Sequence, residues 1–345
     1  MGRVNTKKIN IGNITIGGEN KVLIQSMCNI KTSNINDVIK QINDCTFYDA
    51  SLMRVSVLDF EDAKAIKEIV KNIKIPLVAD IHFNYKLAIE AIKNGAKKIR
   101  INPGNLTNLD ELKEIIKCAK EYKVAIRIGI NSGSLNKKYV GNDEPEYLNL
   151  VNSALDYIKI FEENEFFDIV VSLKSSNPIE TFKAYTYFDS ISNYPLHIGV
   201  TESGFDEVGI IRSVSALSPL LLNGIGDTIR ISLSGDPIKE VITCKRLLHD
   251  LGLYPNYPTI ICCPTCGRCQ VDVKPLAKKI LDYMEQNNIY KTVAVMGCVV
   301  NGIGEGKNAD IGLAGGNGFF ILFKNGQEIK KVSQEEAFDE LIKYL

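Results

Sequence analysis

Residues 98–130 read KIRINPGNLTNLDELKEIIKCAKEYKVAIRIGI and alternate between strand-like and helix-like patterns. Two β-rich apolar runs, 98–102 and 125–130, flank a segment of helical periodicity at 109–122. Strands that alternate with helices of this length are typical of a parallel sheet whose faces are covered by the helices. This stretch therefore predicts a β–α–β unit.

The same alternation extends from the beginning of the chain to about residue 253. Helix-period segments such as 60–71 and 239–251 lie between the apolar runs. Eight strands, each followed by a helix, predict an α/β fold of the (β/α)8 TIM barrel type. A doubly wound open sheet is the alternative, but no G-x-G-x-x-G follows the first run. The eight runs lie at 22–27, 52–57, 77–81, 98–102, 125–130, 169–174, 196–201 and 228–233.

The pattern changes after the segment YPNYP at 254–258. We therefore expect a substrate-binding barrel over residues 1–255 and a small α+β domain over residues 256–345. In the second domain the sequence predicts a cysteine loop, a helix near 276–286, a strand near 292–296, two further short strands and a closing helix. Ser333 and Glu336 have the spacing of a capping box at the start of that last helix.

Composition excludes several classes of protein. The chain has 345 residues with 41 acidic and 41 basic side chains, a balance that argues against nucleic acid as the main partner. The N-terminus lacks the apolar run of a signal peptide, and no stretch approaches the ~20 apolar residues that span a bilayer, so we expect a cytoplasmic protein. Nine cysteines without an export signal favour metal or redox chemistry over a disulfide framework.

Four predicted strands carry an arginine that is followed two places later by a small or polar residue. Residues two apart on a strand share a face, so each pair points the same way. An ion pair with Asp80, Glu202 or Asp227 would explain any single buried arginine, but four in the same relative place indicate a site. Lys174 falls at the same strand ends, so we predict that the barrel mouth binds a phosphate-bearing small molecule. The pairs are Arg54 and Ser56, Arg100 and Asn102, Arg127 and Gly129, and Arg230 and Ser232.

Other polar residues lie near predicted strand ends. Asp80 and His82, two apart, are either a structural pair or a proton-donating pair, and both interpretations stay open. His197 begins its strand and is expected in the core. Glu202 lies in a turn after a strand, and Asn131 follows another strand, so both are candidates for contact with a ligand. The glycine-containing segments 102–105 and 224–227 are weaker candidates for phosphate contact.

The second domain carries two cysteine-containing segments, CCPTCGRCQVDV at 262–273 and MGCVVNGIGE at 296–305. Cys263 and Cys266 form a C-x-x-C pair, and Cys269 and Cys298 are further thiols within reach. A zinc site and a ferredoxin-type iron–sulfur site both remain open. Cys262, Cys266 and Cys269 also have radical S-adenosylmethionine spacing, but they follow the eighth predicted strand instead of the first. The glycine-rich segment 301–306 is expected to be a loop.

Six motifs resemble signatures of the 4-hydroxy-3-methylbut-2-enyl diphosphate synthase family of the non-mevalonate isoprenoid pathway. The resemblance runs through most of the chain and implies a barrel related to dihydropteroate synthase, followed by an iron–sulfur domain. No extra middle domain is present, so the chain resembles the compact bacterial form. The motifs are VADIHF at 78–83, RINPGN at 100–105, RIGIN-x-GSL at 127–135, GIGDT-x-R-x-S at 224–232, CPTC-x-R at 263–268 and GCVVNG-x-GE at 297–305.

The resemblance also implies cofactor, reaction and roles. A 4Fe-4S cluster would be held by Cys263, Cys266, Cys298 and Glu305, leaving Cys262 and Cys269 outside the ligand set. The reaction would be the reductive opening of 2-C-methyl-D-erythritol 2,4-cyclodiphosphate, with ferredoxin or flavodoxin as electron donor. Glu202 and Glu305 would be catalytic. The substrate would be bound by Arg54, Arg100, Arg127, Asn131, Lys174, Arg230 and Ser232.

Two other functions remain open for this chain. A different barrel enzyme acting on a phosphorylated or pterin-like substrate with a structural metal domain is one alternative, and a non-catalytic iron–sulfur sensor is the other. The eighth helix of a barrel returns the chain to the end opposite the mouth. We therefore expect a head-to-tail homodimer in which the small domain of one subunit completes the site of the other.

Overall fold

A computed structural model of the protein describes residues 6–19, 21–102, 104–106, 108–135 and 137–345, without the side chains of Ser134, Lys137 and Asn301. The chain divides into two compact units, Met1–Leu253 and Tyr254–Leu345. No helix among these residues combines the length and the apolar character that a bilayer crossing needs.

The first unit is a parallel barrel preceded by a hairpin. The hairpin strands are β1 (Ile9–Ile11) and β2 (Ile14–Ile16). The barrel strands hydrogen-bond in the order β8-β7-β6-β5-β4-β3-β10-β9, and an isolated parallel bridge between Val171 and Leu196 joins the two ends of this order. The prediction of a (β/α)8 barrel is thereby confirmed. The strands are β3 (Leu23–Met27), β4 (Leu52–Val57), β5 (Leu77–Ile81), β6 (Lys98–Ile101), β7 (Ala125–Asn131), β8 (Ile169–Lys174), β9 (His197–Ile198) and β10 (Thr228–Ile229).

One helix follows each barrel strand. Five of the eight begin at an Asn or Asp whose side chain accepts a hydrogen bond from a backbone N–H of the first turn, which satisfies part of the helix terminus. The helices are α1 (Ile35–Phe47), α2 (Phe60–Lys71), α3 (Tyr85–Lys93), α4 (Leu109–Tyr122), α5 (Glu146–Glu163), α6 (Pro178–Ile191), α7 (Asp206–Leu222) and α8 (Pro237–Asp250). Short 3-10 turns at Ser132–Ser134 and Lys137–Tyr139 follow β7.

The hairpin covers the amino-terminal end of the barrel. Ile9, Ile11 and Ile16 are buried in one cluster with residues at or near the beginnings of the barrel strands, among them Leu23 and Leu52. This apolar cluster covers the barrel interior at the end opposite the strand carboxyl ends, so we expect a polar ligand to enter the barrel interior from the carboxyl ends.

Two predicted strands, 196–201 and 228–233, are longer than the regular strands β9 and β10. Their remaining residues stay beside the barrel through single hydrogen bonds, such as Arg230 N–H to Ile198 O at 3.0 Å and Thr201 N–H to Ser175 O at 3.2 Å. The hydrogen bonding between neighbouring strands therefore becomes irregular after β9 and β10, where Arg230 and Ser232 lie.

The second unit is a five-stranded mixed sheet with the order β11-β12-β13-β14-β15, in which the first three strands are parallel and the last three antiparallel. Helices α9 and α11 pack on one face, and α10 packs on the other. The elements are β11 (Thr259–Cys262), α9 (Val273–Gln286), β12 (Thr292–Met296), α10 (Val299–Glu305), β13 (Ile311–Gly316), β14 (Phe319–Lys324), β15 (Gln327–Ser333) and α11 (Ala337–Ile342).

Three details of the second unit differ from the prediction. Strand β11 precedes the cysteine loop, and three strands instead of two follow residue 296. The expected loop over 301–306 is largely the helix α10. Gly302 allows this, because a Cβ there would lie 2.7 Å from Met296 Cβ, and its absence lets the helix lie directly on the sheet. The capping-box pair is present just before α11, where Ser333 Oγ accepts from Glu336 N–H at 3.2 Å.

Candidate active site

A cavity of about 290 Å³ lies at the carboxyl ends of the barrel strands. Asp80 and His82 line it, as do three residues that the sequence did not single out, Ser172, Val200 and Thr201. The structure also brings together in its wall all eight barrel residues expected to act on a substrate, which are Arg54, Arg100, Arg127, Asn131, Lys174, Glu202, Arg230 and Ser232.

Asp80 is the carboxylate at the centre of this wall. Its side chain accepts a hydrogen bond from Arg100 Nη1 at 3.1 Å and lies 3.6 Å from Arg54 Nε and 3.6 Å from His82 Nε2. Burial alone would raise the pKa of this carboxyl, but the charge of Arg54, the hydrogen bond with His82 and the charge of Arg100 together hold it well below its usual range. Asp80 is therefore a permanent anion that partly compensates two arginines.

Glu240, in the first turn of α8, is a buried carboxylate that pairs with an arginine of the cavity wall and that the sequence did not indicate. It binds Arg230 in a bidentate manner, with Nε and Nη2 each 2.9 Å from a carboxylate oxygen. It also accepts from Ser26 Oγ at 2.7 Å and from Leu233 N–H at 3.0 Å. A bidentate pair of this kind fixes the orientation of a guanidinium group. Glu240 could have been noticed in the sequence as an acidic residue that shares the buried face of α8 with Val241 and Cys244.

The other carboxylates that the sequence offered as partners have different positions. Asp227 accepts hydrogen bonds from Leu196 N–H at 2.6 Å and from Thr6 Oγ1 at 3.2 Å, near the hairpin end of the barrel. Glu202 is exposed, with a positive φ of 51°, and Arg212 Nη1 lies 3.3 Å from its carbonyl oxygen. Its carboxylate therefore remains at the rim of the cavity, in a turn held by backbone contacts.

Arg127 and Lys174 are buried basic side chains that make no ion pair with a carboxylate within the described parts of the chain. Arg127 Nη1 lies 3.4 Å from Ser172 Oγ, while Arg127 Nε and Arg100 Nε have no hydrogen-bond partner among the described residues. Burial, and then the neighbouring arginines, lower the pKa of Arg127 and of Lys174 well below their ordinary values. Groups of this kind gain most from an anionic ligand.

His197 is buried, as expected for a core histidine. Its Nδ1 lies 2.8 Å from Thr228 Oγ1, and its Nε2 lies 3.4 Å from Lys174 Nζ. Burial and the charges of Arg127 and Lys174 lower the pKa of His197 well below its usual value, so the ring is neutral.

Two glycines make room for the cations. A Cβ at Gly129 would lie 2.5 Å from Arg100 Nε, and one at Gly199 would lie 2.6 Å from Lys174 Nζ. Any larger residue at these positions would displace the side chain that it meets.

The cysteine loop of the second unit begins directly after β11. Cys263 N–H donates to Val295 O at 3.0 Å, and Gln270 N–H donates to Gly297 O at 2.9 Å, so both ends of the loop are fixed to the β12 side. A Cβ at Gly297 would lie 2.4 Å from Cys269 Sγ and 3.7 Å from Cys263 Sγ. Gly297 therefore leaves a space toward which these two thiols converge.

The four residues that the resemblance assigns to metal are not equally placed. Cys298 is buried and Cys263 half-buried, whereas Cys266 and Glu305 are exposed. Within the described residues, no three His, Cys, Asp or Glu side chains are grouped closely enough to hold a metal ion. The thiol donors and the space beside Gly297 nevertheless fit the donor type that iron–sulfur clusters require.

Fold and site together define a TIM-barrel protein with a cation-rich mouth, joined to a cysteine-bearing α+β unit. The GcpE TIM-barrel domain matches residues 6–245 and the GcpE protein C-terminal domain matches residues 259–345. This chain belongs to the GcpE family.

The curated relatives agree with this assignment. The chain is 46% identical to a Clostridium perfringens protein over 100% of this chain and 99% of the relative, and 46% identical to a Malacoplasma penetrans protein over 99% and 95%. Both relatives are named 4-hydroxy-3-methylbut-2-en-1-yl diphosphate synthase (flavodoxin).

Solved structures support the barrel alone. A dihydropteroate synthase from Stenotrophomonas maltophilia superposes with a TM-score of 0.53 at 11% identity, covering 71% of this chain and 98% of that one. The Yersinia pestis enzyme gives 0.52 at 10% identity, covering 71% and 97%.

Replacing Asp80 with Asn should lower the free energy of unfolding at pH 7 by about 3 kcal/mol, because Arg54 and Arg100 lose their buried counter-charge. The folded-state pKa of Asp80 is depressed, so its stabilisation is present above its unfolded pKa of about 3.9 and is lost as the pH falls below that value. Urea unfolding at pH 7 and pH 3.5 should show the difference shrinking at the lower pH. The same change at exposed Asp143 is the control. Equal effects at the two positions would contradict this role of Asp80.

Proposed function

We propose that this protein catalyses the reductive ring opening of 2-C-methyl-D-erythritol 2,4-cyclodiphosphate to 4-hydroxy-3-methylbut-2-enyl diphosphate. The main support for the proposal is the cavity at the strand ends, whose wall carries four arginines and Lys174, while the buried carboxylates Asp80 and Glu240 pair with three of the arginines. Four arginines and two carboxylates leave two positive charges, which the two negative charges of a cyclic diphosphate would balance. The names of the curated relatives contain the same product.

Within the cavity, Arg127 and Lys174 are the proposed primary phosphate contacts, because neither is engaged by a carboxylate in the described structure. Arg54, Arg100 and Arg230 hold further phosphate oxygens with the N–H groups that Asp80 and Glu240 leave available. Arginine suits this task because its planar donors match phosphate oxygens.

The uncharged and acidic groups have different proposed roles. Asn131 and Ser232 orient the substrate through hydrogen bonds from two separate segments of the wall. Glu202, at the rim, contacts or protonates the carbon skeleton. Two electrons enter as the ring opens and water is eliminated, so a positioned proton donor is needed for the departing oxygen.

The proposed cofactor is a 4Fe-4S cluster held by Cys263, Cys266, Cys298 and Glu305. When bound, such a cluster supplies electrons and an iron atom that acts as a Lewis acid. Cys298 is the N-cap of α10 and Glu305 is its last residue, so one short helix connects these two proposed ligands. Flavodoxin is the proposed electron donor, on the basis of the relatives' names, with ferredoxin as the other candidate.

We further propose a head-to-tail homodimer with a shared active site. Helix α8 runs back from the mouth, so the chain leaves the barrel unit at the end covered by the β1–β2 hairpin. A second subunit offers its cysteine-bearing unit to the mouth without a long connection, and two-fold pairing is the commonest closed assembly.

Turnover of the cyclic diphosphate by the full chain, with iron and sulfide reconstituted and reduced flavodoxin supplied, tests the function. Arg230→Ala should lower kcat/KM by roughly 30- to 150-fold, which corresponds to the ~2–3 kcal/mol of a charge-assisted phosphate contact. Arg246→Ala, at an exposed position on α8, should change it less than about threefold. If the reconstituted protein leaves the cyclic diphosphate unchanged, the proposed reaction is wrong.

The cysteine assignment predicts a pattern of cluster loss. Cys263→Ala, Cys266→Ala and Cys298→Ala should each lose the visible absorption and the acid-labile sulfide, whereas Cys262→Ala and Cys269→Ala should keep both. Glu305→Ala should retain iron and lose most turnover, because a carboxylate is a more exchangeable ligand than a thiolate. Loss of the cluster in Cys269→Ala with retention in Cys298→Ala would favour a ferredoxin-like ligand set. Zinc without sulfide would favour a structural metal domain.

The shared site predicts complementation. A mixture of inactive Glu305→Ala chains and Arg230→Ala chains should regain part of the activity through hybrid dimers, since one of their two sites carries neither substitution. Two-tag purification followed by a turnover assay measures this directly. Hybrid dimers that form but remain as inactive as either parent would show that each cluster serves its own barrel.

A further inference from the structure

Among the described residues, no carboxylate pairs with the buried amine of Lys174, although a buried lysine normally has such a partner. We propose that Lys174 takes up a proton as the diphosphate enters the cavity, and that His197 is the positioning residue for its amine. This inference rests on the proposed function of the cavity and adds a protonation step to substrate binding.

The charged surroundings of Lys174 are almost entirely positive. It ends β8 and is 7% exposed, and the charges of Arg127, Arg54, Arg230 and Arg100 all act on it. Deeper in the barrel, Lys98 is fully buried, with its Nζ 2.8 Å from Gln25 Oε1. A further positive charge at Lys174 is therefore opposed from β4, β6, β7 and the segment after β10.

The carboxylates of the region are engaged elsewhere or lie at the rim. Asp80 contacts Arg54 and Arg100, and Glu240 is paired with Arg230. Glu202 is exposed and has no ion pair with Lys174 in the described structure.

The other titratable groups nearby supply no negative charge that would compensate for this. His82 lies beside Asp80 with its side chain 39% exposed. Burial raises the pKa of Cys244 to about 12, and burial also raises the pKa of Tyr185, so both stay uncharged. The hydroxyl of Tyr185 donates a hydrogen bond to the backbone oxygen of His197 at 2.8 Å.

His197 is placed to hold the amine in either protonation state. Its Nε2 lies 3.4 Å from Lys174 Nζ, and its Nδ1 lies 2.8 Å from Thr228 Oγ1. The neutral ring that donates from Nδ1 to Thr228 leaves Nε2 as an acceptor, and an amine or an ammonium group can donate to it. Gly199 leaves the space for this approach, since a Cβ there would lie 2.6 Å from Nζ.

These surroundings determine whether Lys174 takes up or releases a proton when the diphosphate binds. In the free protein, burial and four guanidinium groups favour the neutral amine. A bound diphosphate brings two negative charges into the same space and favours the ammonium form. Between the free and bound pKa values of Lys174, binding takes up about one proton, and affinity falls up to about tenfold for each unit that the pH rises.

Isothermal titration of the full chain carrying its cluster, without reductant, measures the uptake. The probe is 2-C-methyl-D-erythritol 2,4-cyclodiphosphate, whose phosphate groups each carry only a strongly acidic O–H and therefore do not titrate near neutral pH. Binding heats at pH 8 in HEPES and in Tris, which differ in ionisation heat, give the number of protons transferred. We expect an uptake of about one proton in the unmodified protein.

Amino-acid substitutions identify the group that takes up the proton. Lys174→Arg keeps a permanent charge, so it should bind the probe with no proton uptake, and Lys174→Met should bind more weakly, also without uptake. His82→Gln should retain the uptake. His197→Leu removes the acceptor beside Nζ, so the decline of affinity with pH should move to lower pH, whereas a purely structural role would weaken binding equally at every pH.

Binding to the unmodified protein without net uptake would overturn the proposal while leaving the proposed function intact. Uptake that persists in Lys174→Arg would place the proton on another group and overturn it as well. Absence of any binding to the unmodified protein would contradict both this inference and the function on which it rests.

Discussion

The interaction on which the barrel mouth depends is the contact of Asp80 with Arg54 and Arg100. Burying a guanidinium group without a counter-charge is costly, and Asp80, on the strand between those of Arg54 and Arg100, supplies a counter-charge to both. Glu240 does the same for Arg230 from outside the sheet. These two carboxylates neutralise part of the positive charge and leave Arg127 and Lys174 without a carboxylate partner among the described residues, available to a ligand.

The positions of the arginines could be predicted because they depend only on local geometry. A strand has a period of two, and the carboxyl ends of barrel strands meet at one mouth, so a repeated arginine at each strand end has to converge there. The partners of these arginines could not be assigned in the same way. Glu240 belongs to a helix, and only tertiary packing brings its carboxylate to Arg230.

Several structural features could not be predicted from the periodicity of the sequence. The β1–β2 hairpin has only three residues per strand, too few to show a clear alternation, and its role appears only through its contacts with the strand beginnings. Helix α10 was expected to be a loop because of its glycines. In the folded unit, the missing side chain at Gly302 lets the helix lie against Met296 and Ala314. Likewise, spacing alone could not show that Cys269 lies beside Gly297, because that proximity joins two separate segments of the chain.

Arg127 and Lys174, which pair with no carboxylate among the described residues, are the core of the proposed diphosphate site. A crystal structure of the full chain with 2-C-methyl-D-erythritol 2,4-cyclodiphosphate bound would reveal these contacts. Both phosphate groups should lie in the cavity, with oxygens within hydrogen-bond distance of Arg127 and Lys174, while Asp80 keeps its contacts with Arg54 and Arg100. A diphosphate bound elsewhere on the protein, or one in the cavity that leaves Arg127 and Lys174 without a phosphate contact, would contradict the claim.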